Sequence, residues 1–234
     1  RFTAHAGQDL RYVHLSDTWF VWTGKRWQKD DTGEALRRAQ ATIRATAQQA
    51  DSLAEDKERT RLFRHALRSE AAGRIHSMLR LATSLLPVTP EQLDRNLWLL
   101  NCSNGTLDLR TGELRGHDRD DLLTRLAPVA YEPDATCPRW EAFLQQVMEG
   151  NEALIGFLQR AVGYSLTGST AEQVLFLLHG VGANGKSTFI ETVRAMLGDY
   201  ATQADFTTFM RQQGDGIRND VARLVGARFV SAVE

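Results

Sequence analysis

Apolar and polar positions alternate over residues 18–29, TWFVWTGKRWQK, around a Thr23-Gly24 turn, and a period of two predicts a β-hairpin. The hairpin carries Trp19, Trp22 and Trp27. Aromatics at this density either fill the small core of the hairpin, which is the preferred reading, or stack on bases. From Thr32 to about Leu86 the period lengthens. Leu36, Ala39, Ile43 and Ala47, then Ile75, Leu79 and Ala82, recur at three- and four-residue steps, which predicts a bundle of two or three helices. Its other faces carry Arg37, Arg38, Lys57, Arg59, Arg61, Arg64, Arg68 and Arg74. Such arginines are either a solvated surface or a contact for phosphate.

After Pro87 and Pro90 the pattern shortens again. Leu97–Asn101 is apolar, Asn104-Gly105 is a strong turn signal, and Thr106–Leu109 and Glu113–Arg115 flank a second turn at Thr111-Gly112. Paired hairpins in a small sheet are expected. A helical stretch opens at Cys137-Pro138, with apolar stripes at Phe143, Leu144 and Val147, then Leu154, Ile155, Leu158 and Val162.

Composition narrows the picture less than pattern does. The 234 residues are 42% hydrophobic and 24% charged, with 28 basic against 29 acidic side chains, as in an ordinary globular chain. The net charge of −1 gives no support for nucleic acid and does not exclude it, because a ring can gather positive charge in its channel. Cys102 and Cys137 stand far apart with no CxxC spacing, so neither a zinc site nor a disulfide framework is indicated. No stretch approaches the roughly 20 apolar residues of a membrane span. The first residues lack a signal-peptide pattern and an initiator Met, and the last residue ends an apolar run, so a piece of a longer protein is expected.

Chemistry concentrates near the end. Gln173–His179, QVLFLLH, reads as a buried parallel strand covered on both faces. Gly180-Val181-Gly182-Ala183-Asn184-Gly185-Lys186-Ser187 follows and fits GxxxxGK[ST], and Thr188 opens an amphipathic helix. Strand, glycine loop and helix thus stand in the order of a phosphate-binding loop for ATP. Gly180, Gly182 and Gly185 are expected to curl with positive φ and turn successive N–H groups into one concavity. The helix N-terminus adds partial positive charge, and Lys186 adds a full charge at the β- and γ-phosphates. Ser187 offers its hydroxyl to Mg²⁺. A second magnesium-site carboxylate is sought at the end of another buried strand. Glu234 follows the strand-like Arg228–Val233, 48 positions beyond Lys186, and is either that residue, acting through water, or a solvated side chain.

These residues together resemble the phage and plasmid primase-helicases, whose motor is a superfamily 3 helicase. The resemblance rests on ANGKST at 183–188, LGDYA at 197–201, NGTLDLRTGEL at 104–114, FLQRAVGYSLTG at 157–168, and the Trp19–Trp27 hairpin with Asp30. It implies an α/β chain in two parts. Residues 1–150 would be a mainly helical helicase-associated module with small hairpins, and 151–234 the first half of a P-loop AAA+-like motor. Glu234 would be the first acidic residue of the second magnesium-site motif, catalytic alongside Lys186. The resemblance further implies an ATP- and Mg²⁺-dependent DNA helicase in phage or plasmid replication, forming a hexameric ring on single-stranded DNA without sequence preference. Its place would be the cytoplasm of a bacterial host cell, with no membrane partner. The polar sensor and arginine finger of such motors are absent from the sequence, so this piece is expected to bind nucleotide without turning it over.

Two other classes stay in view. One is a P-loop phosphotransferase for a small molecule, with Arg211, Arg218 and Arg223 as a basic lid. The other is a non-catalytic DNA-binding or assembly module, in which Arg61, Arg64 and Arg68 would present one helical face to a phosphate backbone.

Overall fold

A computed structural model of the chain describes residues 1–210 and 219–233, and in it the tryptophan hairpin forms as expected, as two strands of a three-stranded antiparallel sheet. After a first short helix, α1 (Phe2–Ala6), β1 (Leu10–Val13) pairs with β2 (Thr18–Trp22), and β2 pairs with β3 (Trp27–Lys29). The register sets Tyr12 opposite Trp19 and Trp22 opposite Trp27. Trp27 is fully buried and Trp22 buried, so these two side chains are core rather than base-stacking platforms. Trp19 is half-buried and packs on Tyr12, with ring centroids 4.9 Å apart.

The bundle has three helices, α2 (Glu34–Asp51), α3 (Asp56–Ser69) and α4 (Ala72–Ala82). Asp30 starts the first of them. Its carboxylate accepts the N–H groups of Glu34 and Ala35, each at 2.8 Å, donors that a helix leaves unsatisfied in its first turn. Ala35, Ala39 and Ile43 of α2 meet Ala66 of α3, Ile75 and Ala82 of α4, and Leu10 and Val21 of the sheet in one core. These pieces form a compact unit of Arg1–Arg95 completed by Leu122–Thr124, where the Trp27 N–H donates to the Leu123 carbonyl at 2.8 Å.

A second unit takes Asn96–Asp121 and the residues from Arg125 onward. It opens with the expected meander, β4 (Leu99–Cys102), β5 (Gly105–Asp108) and β6 (Glu113–Arg115), all antiparallel. Asn104, at the turn, both donates to the Tyr131 carbonyl and accepts the Tyr131 N–H, pinning the segment that follows the meander. Helix α5 (Pro138–Val147) begins with proline at its first position, and α6 (Glu152–Leu166) is capped by Asn151, which accepts the Leu154 N–H at 3.1 Å. Helix α7 (Lys186–Leu197), the strand β7 (Ala201–Asp205), the short α8 (Asn219–Ala222) and the strand β8 (Phe229–Val233) complete it. Leu100, Leu107, Leu144, Phe189, Val193, Leu197 and Tyr200 share one core, which therefore draws on residues either side of position 150. The architecture is mixed α/β, with helices beside small sheets.

One expected element does not form. Residues 173–179 make no strand, and Val174–Leu178 are exposed, Leu175 and Leu177 by 73% and 84%. An apolar run becomes a strand only where a neighbour takes up its N–H and C=O groups. Among the described residues β7 and β8 pair only with each other, so neither serves it.

Candidate functional site

The glycine loop is built on an aromatic base. Phe189, Val193 and Leu197 recur at four-residue steps on α7 and are buried. Trp140 of α5 lies nearly parallel to Phe189, with centroids 5.6 Å apart, and to Phe143 at 5.3 Å. This stack fixes the first turn of α7, and with it the position of the loop that feeds that turn.

Gly185 caps the helix with φ +83°, and a Cβ there would come within 2.7 Å of Val147 and 3.1 Å of Phe143. Only glycine satisfies both the left-handed backbone and the close approach to α5. Gly180 has φ +154°, and a Cβ on it would collide with the Asn184 amide at 2.2 Å. The expectation that Gly182 would also adopt positive φ is corrected. That role falls to Ala183, at φ +59°, while Gly182 has open space where a Cβ would stand. The left-handed turn is needed once in the middle of the loop, and the chain takes it one residue later.

The Lys186 ammonium bends back over this turn. It donates to the Gly180 carbonyl at 2.8 Å, the Val181 carbonyl at 3.2 Å and Asn184 Oδ1 at 2.7 Å, so each of its three protons has an acceptor. Among the described residues the backbone N–H groups of Gly185, Lys186, Ser187 and Thr188 meet no hydrogen-bond acceptor, as expected for the opening turn of a helix. Ser187 and Thr188 are exposed there. The site therefore offers a full positive charge, a helix N-terminus, free amide donors and a hydroxyl within a few consecutive residues.

The parallel pair β7–β8 stands beyond α7 in register from Ala201↔Phe229 to Asp205↔Val233. Asp205 accepts the Thr207 hydroxyl at 2.6 Å and the Thr207 N–H at 2.9 Å. These bonds, the hydroxyl's first, hold its carboxyl below the ordinary value, and they commit it to capping the turn at 206–209. The described part of the chain confirms the strand that should lead to Glu234. Glu234 itself lies outside the described residues, as do Arg211 and Arg218, while Arg223 is exposed just past α8. Among the described residues no cluster of three His, Cys, Asp or Glu could hold a metal ion.

Residues to which sequence reasoning gave no role of their own anchor this half of the unit. The Arg228 guanidinium donates to the Leu166 carbonyl at 2.6 Å and the Leu99 carbonyl at 2.8 Å, and sits 4.5 Å from the centre of the Tyr200 ring. Tyr200 is fully buried, and its hydroxyl accepts the Asn101 N–H at 3.1 Å. Asp199 accepts the Leu126 N–H at 3.0 Å. The LGDYA segment thus ties α7 to the meander. The sequence marks this segment as part of the family resemblance, but assigns its side chains no role.

The chain belongs to the D5 N terminal like family, whose model matches residues 1–149. That family is the N-terminal module of the phage and plasmid primase-helicases. The match ends before α6 and the glycine loop. A protein of Acanthamoeba polyphaga mimivirus, named "Putative helicase", is 30% identical over 111 residues. That alignment covers 46% of this chain and 12% of the viral protein. Among the described residues no helix is long and apolar enough to cross a membrane.

Proposed function

We propose that the chain supplies the nucleotide-binding entrance of an ATP-dependent DNA helicase of the primase-helicase type, acting in phage or plasmid replication. The observation that carries this reading is the loop Gly180–Thr188, in which Lys186 and the free N–H groups of the first turn of α7 converge. The amides of Gly185 to Thr188 would hold phosphate oxygens, Lys186 would exchange its loop carbonyls for the β- and γ-phosphates, and Ser187 would take Mg²⁺ together with Glu234 through water. Magnesium held there would supply neutralising charge to the terminal phosphates. Lys186 orients that group, the bent loop excludes side chains from its path, and the Trp140–Phe189 stack keeps the turn rigid.

The exposed run 174–178 supports a motor larger than the residues described, in which further strands cover it. Membership of the primase-helicase family favours a helicase over a phosphotransferase. In this reading the motor assembles as a homo-oligomeric ring on single-stranded DNA without reading its sequence.

Titration of a fluorescent ATP analogue with Mg²⁺ tests the reading. Lys186→Ala removes a charge-assisted contact of about 1.5–3 kcal/mol, so affinity should fall by roughly tenfold to a hundredfold. Equal affinity of the two proteins would remove Lys186, and the loop with it, from the nucleotide site.

A further inference from the structure

The first unit holds a cleft of about 670 Å³ lined by α3 and the start of α4. Lys57, Arg61, Arg64, His65 and Arg68 of α3 face it, with Arg74 of α4. Among the described residues none of these five lysine and arginine side chains forms an ion pair. The carboxylate that lines the cleft, Asp56, is engaged by Arg59. Five unneutralised cations in one cleft are a local concentration in a chain whose net charge is −1. They repel one another, so the arrangement destabilises the free protein and becomes favourable when an anion enters.

Helix α3 is also unusual in what it buries. Of its 14 residues only Ala66 is buried, whereas Phe63 is 50% and Leu67 60% exposed. Arg61, Arg64 and Arg68 lie on one face and span about 10 Å at 1.5 Å rise per residue. That length matches about three nucleotide steps at the 3.4 Å rise of one strand. Leu67 and then Phe63 follow Arg64 round the helix, outside the lining of the cleft, and an unstacked base of a strand held by the arginines could reach the exposed ring there. In a duplex the bases are stacked inside and out of reach of such a ring.

We infer that the α3–α4 cleft is a single-stranded DNA track, in which Arg61, Arg64, Arg68 and Arg74 neutralise consecutive phosphates, while Phe63, beside the cleft, offers a platform to a base. The assignment rests on the helicase reading, but it adds a contact in a unit that does not contain the glycine loop. The track ignores sequence, since phosphate contacts carry none.

The test compares three proteins: the unmodified chain, the variant Arg61→Gln/Arg64→Gln/Arg68→Gln, and a control with equal charge loss outside the cleft, Arg44→Gln/Arg80→Gln/Arg95→Gln. Binding of a fluorescent 20-mer of thymidine is followed by anisotropy from low to moderate salt. Removing three phosphate contacts should lower the slope of log affinity against log salt by about 2, and weaken binding at low salt by tenfold or more. The control should bind as the unmodified chain does. Circular dichroism establishes that the helices of both variants persist, and the ATP-analogue titration of each reads the glycine loop separately. An unchanged slope and affinity in the cleft variant, with nucleotide binding intact, would overturn the track while leaving the helicase reading in place. Equal losses in the control would overturn it too, as a mere effect of net charge. Binding of polyglutamate but not of the oligonucleotide would reassign the cleft to an acidic protein partner.

Discussion

Replacing Arg228 by alanine should unfasten β8 from the rest of the second unit. Among the described contacts, the side chain donates charge-assisted hydrogen bonds to the carbonyls of Leu99 and Leu166, and stacks its charge on the buried Tyr200 ring. At the lower end for charged groups each bond contributes about 1.5 kcal/mol. The cation–π contact adds about 0.5–1 kcal/mol. Arg228 is only half-buried, so water can reach the two carbonyls once the guanidinium is gone and returns part of the loss. A net destabilisation of about 2–3 kcal/mol follows, equivalent to a melting point lowered by about 5–10 °C for a chain of this length. Urea unfolding read by near-ultraviolet circular dichroism, to which the stacked Trp140 contributes, measures it. Arg228→Lys should recover less than half, because an ammonium lacks the planar fork that reaches both carbonyls. A midpoint for Arg228→Ala within about 0.5 kcal/mol of the unmodified chain would refute the assignment, since exposed substitutions without a structural role fall in that range.

Asp30→Ala should cost the first unit about 1 kcal/mol or more by removing the α2 cap. Burial alone would raise the Asp30 carboxyl, but the N–H groups of Ala35, Glu34, Thr32 and Gly33 outweigh it and hold the group below its ordinary 3.8. A lowered folded-state value means the stabilisation is complete above pH 4 and is lost as pH falls through that lower value. The difference between the two proteins should therefore shrink on acidification below pH 4, and a difference that stays constant there would refute the cap. Cys137, exposed at the start of α5, should react with a thiol reagent at neutral pH well before Cys102, whose thiol burial pushes up. Equal rates in the native protein would contradict the burial of β4.

Local pattern determined a good deal of this molecule. The alternation at 18–29, the helical period at 32–86 and the Asn104-Gly105 turn each specify an element through contacts between residues near in sequence, and all three elements form. The glycine loop was legible for the same reason, because its order of glycines, Lys186 and helix is written in consecutive residues. Tertiary structure decided what depends on distant partners. Residues 173–179 have the composition of a buried strand, yet pairing needs a neighbour, and pattern cannot say whether one stands beside them. β1, with no hairpin turn of the favoured kind to announce it, is recognisable only through its register on β2. The choice of Ala183 over Gly182 for the left-handed turn shows only in the folded loop, where Gly185 approaches α5 and Lys186 reaches the loop carbonyls. Arg228 read only as the first residue of a strand-like run. Its role exists only because Leu99, Leu166 and Tyr200, 28 to 129 positions away along the chain, converge on its guanidinium in the folded unit.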